Sequence, residues 1–118
     1  MKVSHFEVQG KDGKRLQEFY AKLFSTNVDA NNDMQYGMVS PEPGGIGGGI
    51  TASQDGKPMV TFYVEVPDPA AALKQAESLG GRTVMPPMDV PGGPMIAQFA
   101  DPEGNIIGLI KAGSMGAG

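Results

Sequence analysis

The first fifth of the chain changes its hydrophobic period once. Apolar and polar residues alternate over residues 3–9, which is the period of two that a half-buried strand shows. Over residues 14–24 the apolar side chains recur at intervals of three and four, which predicts a helix with one apolar stripe. Asp12 stands where an N-cap side chain accepts hydrogen bonds from free backbone N–H groups. The pattern therefore predicts a strand followed by a capped helix.

The same order returns 56 residues later. Residues 61–66 alternate as a strand, and a helix is predicted over residues 69–79, with Asp68 as its N-cap and Gly80 and Gly81 as a left-handed exit. At this offset five identities align, which are Phe6 with Phe62, Val8 with Val64, Asp12 with Asp68, Leu23 with Leu79, and Val28 with Val84. These identities predict an internal repeat; the alternative is that any two strand–helix units look alike.

Three short strand patterns follow each predicted helix. They lie at residues 27–30, 34–39 and 46–52 in the first half, and at residues 82–88, 94–100 and 106–111 in the second. Both halves therefore read β-α-β-β-β, and we expect one domain over residues 1–118 with units of about 1–55 and 57–111. The Gly-rich tail, residues 112–118, is expected to fray.

Composition narrows the class of protein. The chain has 118 residues with 18 Gly and 10 Pro, but 40% of its residues are hydrophobic and its net charge is only −4, so it is expected to fold. The absence of Cys and the single His exclude disulfides, thiolate zinc sites and clusters of histidines. No apolar stretch is long enough for a membrane span, and no Lys/Arg cluster offers a nucleic-acid surface. We therefore expect a soluble, cytoplasmic protein that binds neither membrane nor nucleic acid.

Four motifs carry a resemblance to a known family. They are the paired β-α-β-β-β units, His5-Phe6-Glu7-Val8 in the first strand, Phe19-Tyr20 in the first helix, and Phe99-Ala100-Asp101-Pro102-Glu103-Gly104-Asn105 before the last strand. Together they resemble the vicinal oxygen chelate superfamily, which contains glyoxalase I, bleomycin-resistance proteins and extradiol dioxygenases; the Gly-rich run at residues 44–49 also looks like small glyoxalase-like proteins. The resemblance implies an α+β fold with two tandem βαβββ units forming a curled mixed sheet around a cup.

The resemblance also implies four metal-ligand positions, and this chain matches one of them. The positions fall on His5, Thr61, Gly108 and, within one or two residues, Gly49. A Thr hydroxyl is a poor ligand and Gly has no side chain, whereas transition-metal sites usually recruit at least three His, Asp, Glu or Cys groups. We therefore expect no bound metal and no other cofactor, which disfavours metal-dependent lyase and dioxygenase chemistry.

The function implied by this reading is metal-free binding of a partly apolar small organic molecule, as the bleomycin-resistance branch does by sequestration. The expected ligand-binding residues are His5, Glu7, Gly49, Thr61, Tyr63, Phe99 and Gly108. Glycines on the cup side either make room for a ligand or mark a curl of the sheet. The resemblance further implies a homodimer.

Two alternatives stay open at this point. The first is a metal-dependent glyoxalase-type lyase or isomerase, or a dioxygenase-like enzyme, in which His5 and Glu7 act as metal ligands or as acid and base. The second is a partner-binding module whose cup has no ligand. Small-molecule stabilisation of the protein, measured with and without metals, separates the three readings.

Overall fold

The computed structural model describes residues 1–114, in which two helices and eight strands give the α+β class predicted from the sequence. The elements are β1 Val3–Gly10, α1 Gly13–Leu23, β2 Val28–Asp29, β3 Gly37–Val39, β4 Gly47–Ala52, β5 Met59–Val66, α2 Pro69–Ser78, β6 Arg82–Asp89, β7 Met95–Ala100 and β8 Ile106–Lys111. The last four residues of the tail that we expect to fray, 115–118, lie outside the described residues.

The chain divides into two compact units. The N-terminal unit is Ser4–Thr61, and the C-terminal unit consists of Met1–Val3 and the described residues from Phe62 onward. Neither helix in the described part of the chain is long and apolar enough to cross a membrane.

The helix boundaries follow the capping residues that the sequence predicts. The Asp12 carboxylate accepts a hydrogen bond from the Arg15 backbone N–H at 3.1 Å. The Asp68 carboxylate caps α2 in the same way, by accepting from the Ala70 N–H at 3.1 Å. Gly80 has a φ of +102°, a left-handed conformation that ends a helix without the steric penalty a Cβ would bring. Both predicted helices and their caps are confirmed.

In the N-terminal unit, helix α1 covers one face of a mixed sheet. Strand β4 pairs in parallel with β1, which places Glu7 opposite Gly49, and pairs antiparallel with β3, which in turn pairs with β2. A Cβ on Gly10 would meet the Leu16 side chain of α1, so Gly10 and the residues that share its side of β1 face the helix. His5, Glu7 and Gly49 therefore lie on the helix-free face.

In the C-terminal unit, α2 covers one face of the strands β5, β6, β7 and β8. Strand β8 pairs in parallel with β5, which places Tyr63 opposite Gly108, and antiparallel with β7, which pairs with β6 through an irregular register. Leu73 of α2 packs with Ala97 and Leu109 in a buried cluster. That cluster defines the helix side of this sheet.

One predicted strand begins later than its sequence pattern indicates. The alternation predicts a strand over residues 34–39, but β3 begins at Gly37. Gln35 has a φ of +52°, which no strand residue adopts. The Asn32 amide donates to the Tyr36 carbonyl at 2.8 Å and accepts from the Tyr36 N–H at 2.9 Å. The Asn32 side chain thus takes the place of a neighbouring strand, and residues 34–36 form a loop.

Candidate functional site

A hydrogen-bonded trio on the helix-free face of the N-terminal unit is the strongest candidate site. The Tyr36 hydroxyl donates to a Glu7 carboxylate oxygen at 2.8 Å and lies 2.9 Å from His5 Nε2. His5 and Glu7 stand two residues apart on β1, so the strand aims both side chains to the same face. Tyr36 comes from the loop before β3, and its hydroxyl joins the two.

Gly49 provides the space that the Tyr36 ring occupies. A Cβ built on Gly49 would coincide with atoms of the Tyr36 ring and hydroxyl. The ring also lies nearly parallel to the His5 imidazole, at 14° and with 6.3 Å between the centroids. The space over Gly49 is therefore occupied by the chain's own tyrosine, whereas the sequence left open whether this glycine makes room for a ligand or marks a curl of the sheet.

The side chains of two residues of the N-terminal unit, Asn32 and Gln17, hold the Tyr36 loop in place. Asn32 brackets its backbone, as described above. Gln17 of α1, only 9% exposed, donates one amide to the Gln35 carbonyl at 3.0 Å and to the Ile50 carbonyl at 2.8 Å. The left-handed backbone at Gln35 costs about 1–2 kcal/mol. Strained residues that the surroundings enforce cluster at functional sites, and Gln35 is one of two non-glycine residues with a positive φ in the described part of the chain, the other being Ser25 after α1.

Burial and hydrogen bonding set the electrostatics of the trio. Glu7 is only 7% exposed, and its carboxylate accepts hydrogen bonds from the Tyr36 hydroxyl and from the Gln9 side-chain amide. Burial lowers the pKa of His5 below its ordinary value of 6.5, and the nearby Glu7 carboxylate opposes that shift only in part. His5 is therefore a neutral imidazole at neutral pH, next to a buried carboxylate.

The C-terminal unit also places a tyrosine over a glycine. A Cβ built on Gly108 would coincide with the ring of Tyr63, which is 3% exposed. The Gln98 amide, opposite Gly108 on β7, donates to the Tyr63 hydroxyl at 3.2 Å. This hydrogen bond pairs the phenol with a neutral amide.

The residues expected from the sequence are divided between the two units. His5, Glu7 and Gly49 come together around Tyr36, and Tyr63 meets Gly108 in the C-terminal unit. Phe99 packs against the buried Leu73 cluster, on the helix side of its sheet. Thr61 is buried on β5, with 4% of its surface exposed.

Sequence reasoning missed four residues that build these clusters, which are Gln17, Asn32, Tyr36 and Gln98. The register of β7 against β8 would have pointed to Gln98, because it lies opposite Gly108. No sequence signal gives the reach of Tyr36, whose partner Glu7 is 29 positions away.

The trio contains two of the residue types that commonly bind metal ions, His5 and Glu7. Over residues 1–114, no three His, Cys, Asp or Glu side chains converge where one ion could bind them. In the trio itself, a phenol bridges one imidazole and one carboxylate. Such an arrangement binds polar groups by hydrogen bonding and passes protons between oxygen and nitrogen.

Comparison with protein families gives a match over nearly all of the chain. A family profile described as "Glyoxalase-like domain" matches residues 5–110. Among curated proteins, the anthracycline biosynthesis protein DnrV of Streptomyces peucetius is 40% identical over 63 residues, which is 52% of this chain and 23% of that protein. DauV, the anthracycline biosynthesis protein of Streptomyces sp. (strain C5), matches to the same extent. The chain thus spans about a quarter of the length of these relatives.

Several solved structures share the fold. Methylmalonyl-CoA epimerase from Mycobacterium tuberculosis has a TM-score of 0.66 at 16% identity, covering 92% of this chain and 86% of that one. The Mn(II)-bound glyoxalase from Novosphingobium aromaticivorans has a TM-score of 0.65 at 15% identity, covering 98% and 40%. A glyoxalase/bleomycin resistance protein/dioxygenase superfamily member from Vibrio splendidus 12B01 has a TM-score of 0.62 at 14% identity, covering 93% and 97%. At these identities the likeness concerns the fold alone, and it confirms the fold predicted from the sequence.

Proposed function

The chain belongs to the glyoxalase-like domain family of the vicinal oxygen chelate superfamily, and we propose that it binds a partly apolar organic molecule without a metal. The site of binding is the trio of His5, Tyr36 and Glu7. The observation that carries the proposal is the Tyr36 ring, which fills the space over Gly49 and joins His5 to Glu7.

The side chains around this site do not fit the metal that the superfamily resemblance implies. Gly49 contributes no ligand atom, and the Tyr36 ring covers it. His5 and Glu7 supply two of the three or more ligands that such sites usually need. Both are already engaged with the Tyr36 hydroxyl, so a metal would have to displace that hydroxyl first.

The proposed ligand is a flat aromatic compound that bears hydroxyl groups. The trio offers a phenol, an imidazole and a carboxylate as hydrogen-bonding partners, and the Tyr36 ring offers an apolar face. The curated relative at 40% identity is named an anthracycline biosynthesis protein, and anthracyclines are flat, hydroxylated and aromatic. An anthracycline is therefore the first compound to test.

The test is a thermal-shift and calorimetric titration with daunorubicin, an anthracycline, in EDTA and in separate samples with Zn²⁺, Ni²⁺ or Mn²⁺. We expect the same affinity in EDTA as with each metal. A ligand at 100 times its dissociation constant stabilises the fold by about 2.7 kcal/mol. Tyr36→Ala should weaken binding, while Tyr20→Phe on α1 is the matched control. Binding that requires a metal, or stoichiometric uptake of one, would refute the metal-free proposal.

A second candidate is an enzyme at the same trio, because a neutral buried imidazole linked to a carboxylate is suited to acid–base catalysis. In its metal-dependent form, a glyoxalase-type lyase or isomerase or a dioxygenase-like enzyme, it predicts turnover of a 2-oxoaldehyde–thiol adduct or of a catechol only after metal is added. Turnover that persists in His5→Ala would exclude this candidate.

A further inference from the structure

We propose that a groove on the helix side of the N-terminal unit binds small aromatic carboxylates. The groove lies between α1, the end of β1 and the loop before β5, and its lining includes Lys11, Arg15, Leu16, Phe19 and Pro58. All of these residues belong to the N-terminal unit. The trio lies on the helix-free face of the same unit, so the groove is a separate site and this inference does not rest on the proposed function.

Helix α1 contacts its sheet through small and polar residues, and its aromatic side chains lie beside that contact. Gly13 and Gln17 are the buried residues of the helix. A Cβ on Gly13 would meet the β4 backbone at 2.6 Å, so this glycine allows the helix to approach the strand closely. Phe19 and Leu23 of the apolar stripe remain 56% and 58% exposed. The stripe therefore presents apolar side chains to solvent.

The second helix shows that packing on the sheet does not require aromatic side chains at these positions. At the repeat offset of 56 residues, the two buried residues of α2 stand at the same positions as the two buried residues of α1. Gln75 takes the position that Phe19 holds in α1. Ala76 takes the position of Tyr20. The aromatic pair is therefore an addition to the helix packing, and it gives this groove an apolar wall.

Ring contacts hold the Phe19 side chain in a defined orientation. Its ring meets that of Tyr20 edge to face, with 5.0 Å between the centroids and an angle of 89° between the planes. The ring of Phe24 lies nearly parallel to that of Tyr20, at 14° and 6.1 Å. Edge-to-face and offset-parallel pairs are the favourable arrangements of aromatic rings. Phe19 therefore provides a pre-positioned flat apolar face for a ligand ring, and binding costs little side-chain freedom.

Two cations at the groove supply the charge that a carboxylate needs. In the described part of the chain, neither Lys11 nor Arg15 forms an ion pair. Asp12, the acidic residue of the lining, accepts from the Arg15 backbone N–H as the N-cap of α1. The groove thus carries two cations and one carboxylate in a chain whose net charge is −4. A ligand carboxylate can bind the planar Arg15 guanidinium through two parallel hydrogen bonds.

The spacing of these groups sets the size of the ligand. Arg15 and Phe19 stand four residues apart on α1, which places their Cβ atoms about 6 Å apart on one helix face. A ring that stacks on Phe19 therefore reaches Arg15 with a carboxylate on a short side chain. The groove has a volume of about 370 Å³, within the range of about 300–1,000 Å³ that is typical of small-molecule sites. Arylacetates, which carry a carboxylate one carbon away from the ring, meet both requirements.

The test compares 1-naphthylacetate with 1-naphthylacetamide, which have the same ring and nearly the same shape and differ in charge. Calorimetric titration of the intact chain at neutral pH should give at least about tenfold tighter binding of 1-naphthylacetate. Arg15→Gln should remove most of this preference, whereas Lys22→Gln, at the other end of α1, should keep it. Equal affinity of the wild type for the two compounds, failure to bind 1-naphthylacetate, or an unchanged preference in Arg15→Gln overturns the inference.

A second pair of variants locates the ligand. Phe19→Gln makes this position of α1 like that of α2, and it should weaken binding of both compounds by about fivefold without lowering the stability of the fold, because Phe19 is exposed. Tyr36→Phe should bind 1-naphthylacetate as the wild type does. Loss of binding in Tyr36→Phe but not in Phe19→Gln would place the ligand at the trio and overturn the inference. A dimer in sedimentation that Phe19→Gln dissociates would make the aromatic surface an interface between copies, which also overturns it.

Discussion

The N-terminal and C-terminal units reach the same local packing by different routes. In each unit, a tyrosine ring covers a glycine on the helix-free face of the sheet. In the C-terminal unit the tyrosine is Tyr63, which stands directly beside Gly108 on the neighbouring strand. In the N-terminal unit the place beside Gly49 belongs to Glu7, and Tyr36 reaches over from a loop.

Because of that difference, the residue beside the glycine is a carboxylate in the N-terminal unit and a phenol in the C-terminal unit. In the C-terminal unit, Tyr63 pairs with the neutral Gln98 amide. In the N-terminal unit, the strand position is a carboxylate, and the loop tyrosine connects it to His5. The two units therefore share the packing of a tyrosine over a glycine, and the N-terminal cluster combines a base, an acid and a phenol.

The largest expected effect compares the two glycines. Gly108→Ala should destabilise the fold by about 3 kcal/mol, because Tyr63 is fixed on a strand and cannot yield to the new Cβ. Gly49→Ala should cost less, about 1–2 kcal/mol, because the Tyr36 loop can move aside. Urea denaturation of both variants measures the difference.

Gly45→Ala is the control for these variants, since its Cβ would meet its nearest neighbour, the Glu42 carbonyl, at 3.4 Å. It should change the free energy of unfolding by less than about 0.5 kcal/mol. If Gly49→Ala proved as destabilising as Gly108→Ala, the loop would be as rigid as the strand, and the contrast between the units would be wrong.

The next largest effect is expected from a change in the loop of residues 34–36, which carries Tyr36. Asn32→Ala removes both side-chain hydrogen bonds to the Tyr36 backbone and should cost about 1 kcal/mol. Daunorubicin affinity should fall with it if Tyr36 must be held in place for binding. Asn31→Ala is a matched change one residue away, and an equal loss of affinity in that variant would contradict a specific role for Asn32.

The sequence predicted the helices better than the site. Asp12, Asp68 and Gly80 act within one turn of their own helix, so their effects are local and readable from spacing. Residues 34–36 were different, because alternation favours a strand there while Gln35 and the Asn32 side chain impose a loop. A tertiary contact decides that segment, and hydrophobic pattern alone does not contain it.

The difference between local and tertiary contacts also explains which site residues the sequence predicted. His5 and Glu7 stand out because they share one face of a strand with a clear period. Tyr36 meets them across 31 and 29 positions of the chain, respectively, a separation that no local pattern encodes. Phe99 was expected beside the ligand, whereas Gln98 is the β7 residue on the helix-free face.

A smaller effect is expected on the pH dependence of stability. The folded pKa of His5 lies below the unfolded value of 6.5, so the unfolded chain binds the proton first. Stability is fully present above pH 6.5 and decreases as the pH falls below it. His5→Gln should flatten this part of the curve, measured by urea denaturation from pH 7.5 to 5.5. A stability that rises on acidification through this range would contradict the assigned shift.

The smallest expected effect tests the electrostatic coupling between Glu7 and His5. Because the Glu7 carboxylate opposes the effect of burial, Glu7→Gln should lower the pKa of His5 further. An NMR titration of the single imidazole measures this shift. Glu18→Gln removes the same charge at an exposed position of α1, and an equal response of His5 to that change would contradict a specific role for Glu7.

The left-handed backbone at Gln35 restricts how this sequence can drift during evolution. Gly, Asn and Asp tolerate such a φ, whereas Val, Ile and Thr are strongly disfavoured there. A β-branched replacement at position 35 leaves every side chain of the trio unchanged, yet it would pull Tyr36 away from His5. Descendants that lose the site are therefore expected to carry the decisive change in the loop, next to a tyrosine that still looks intact.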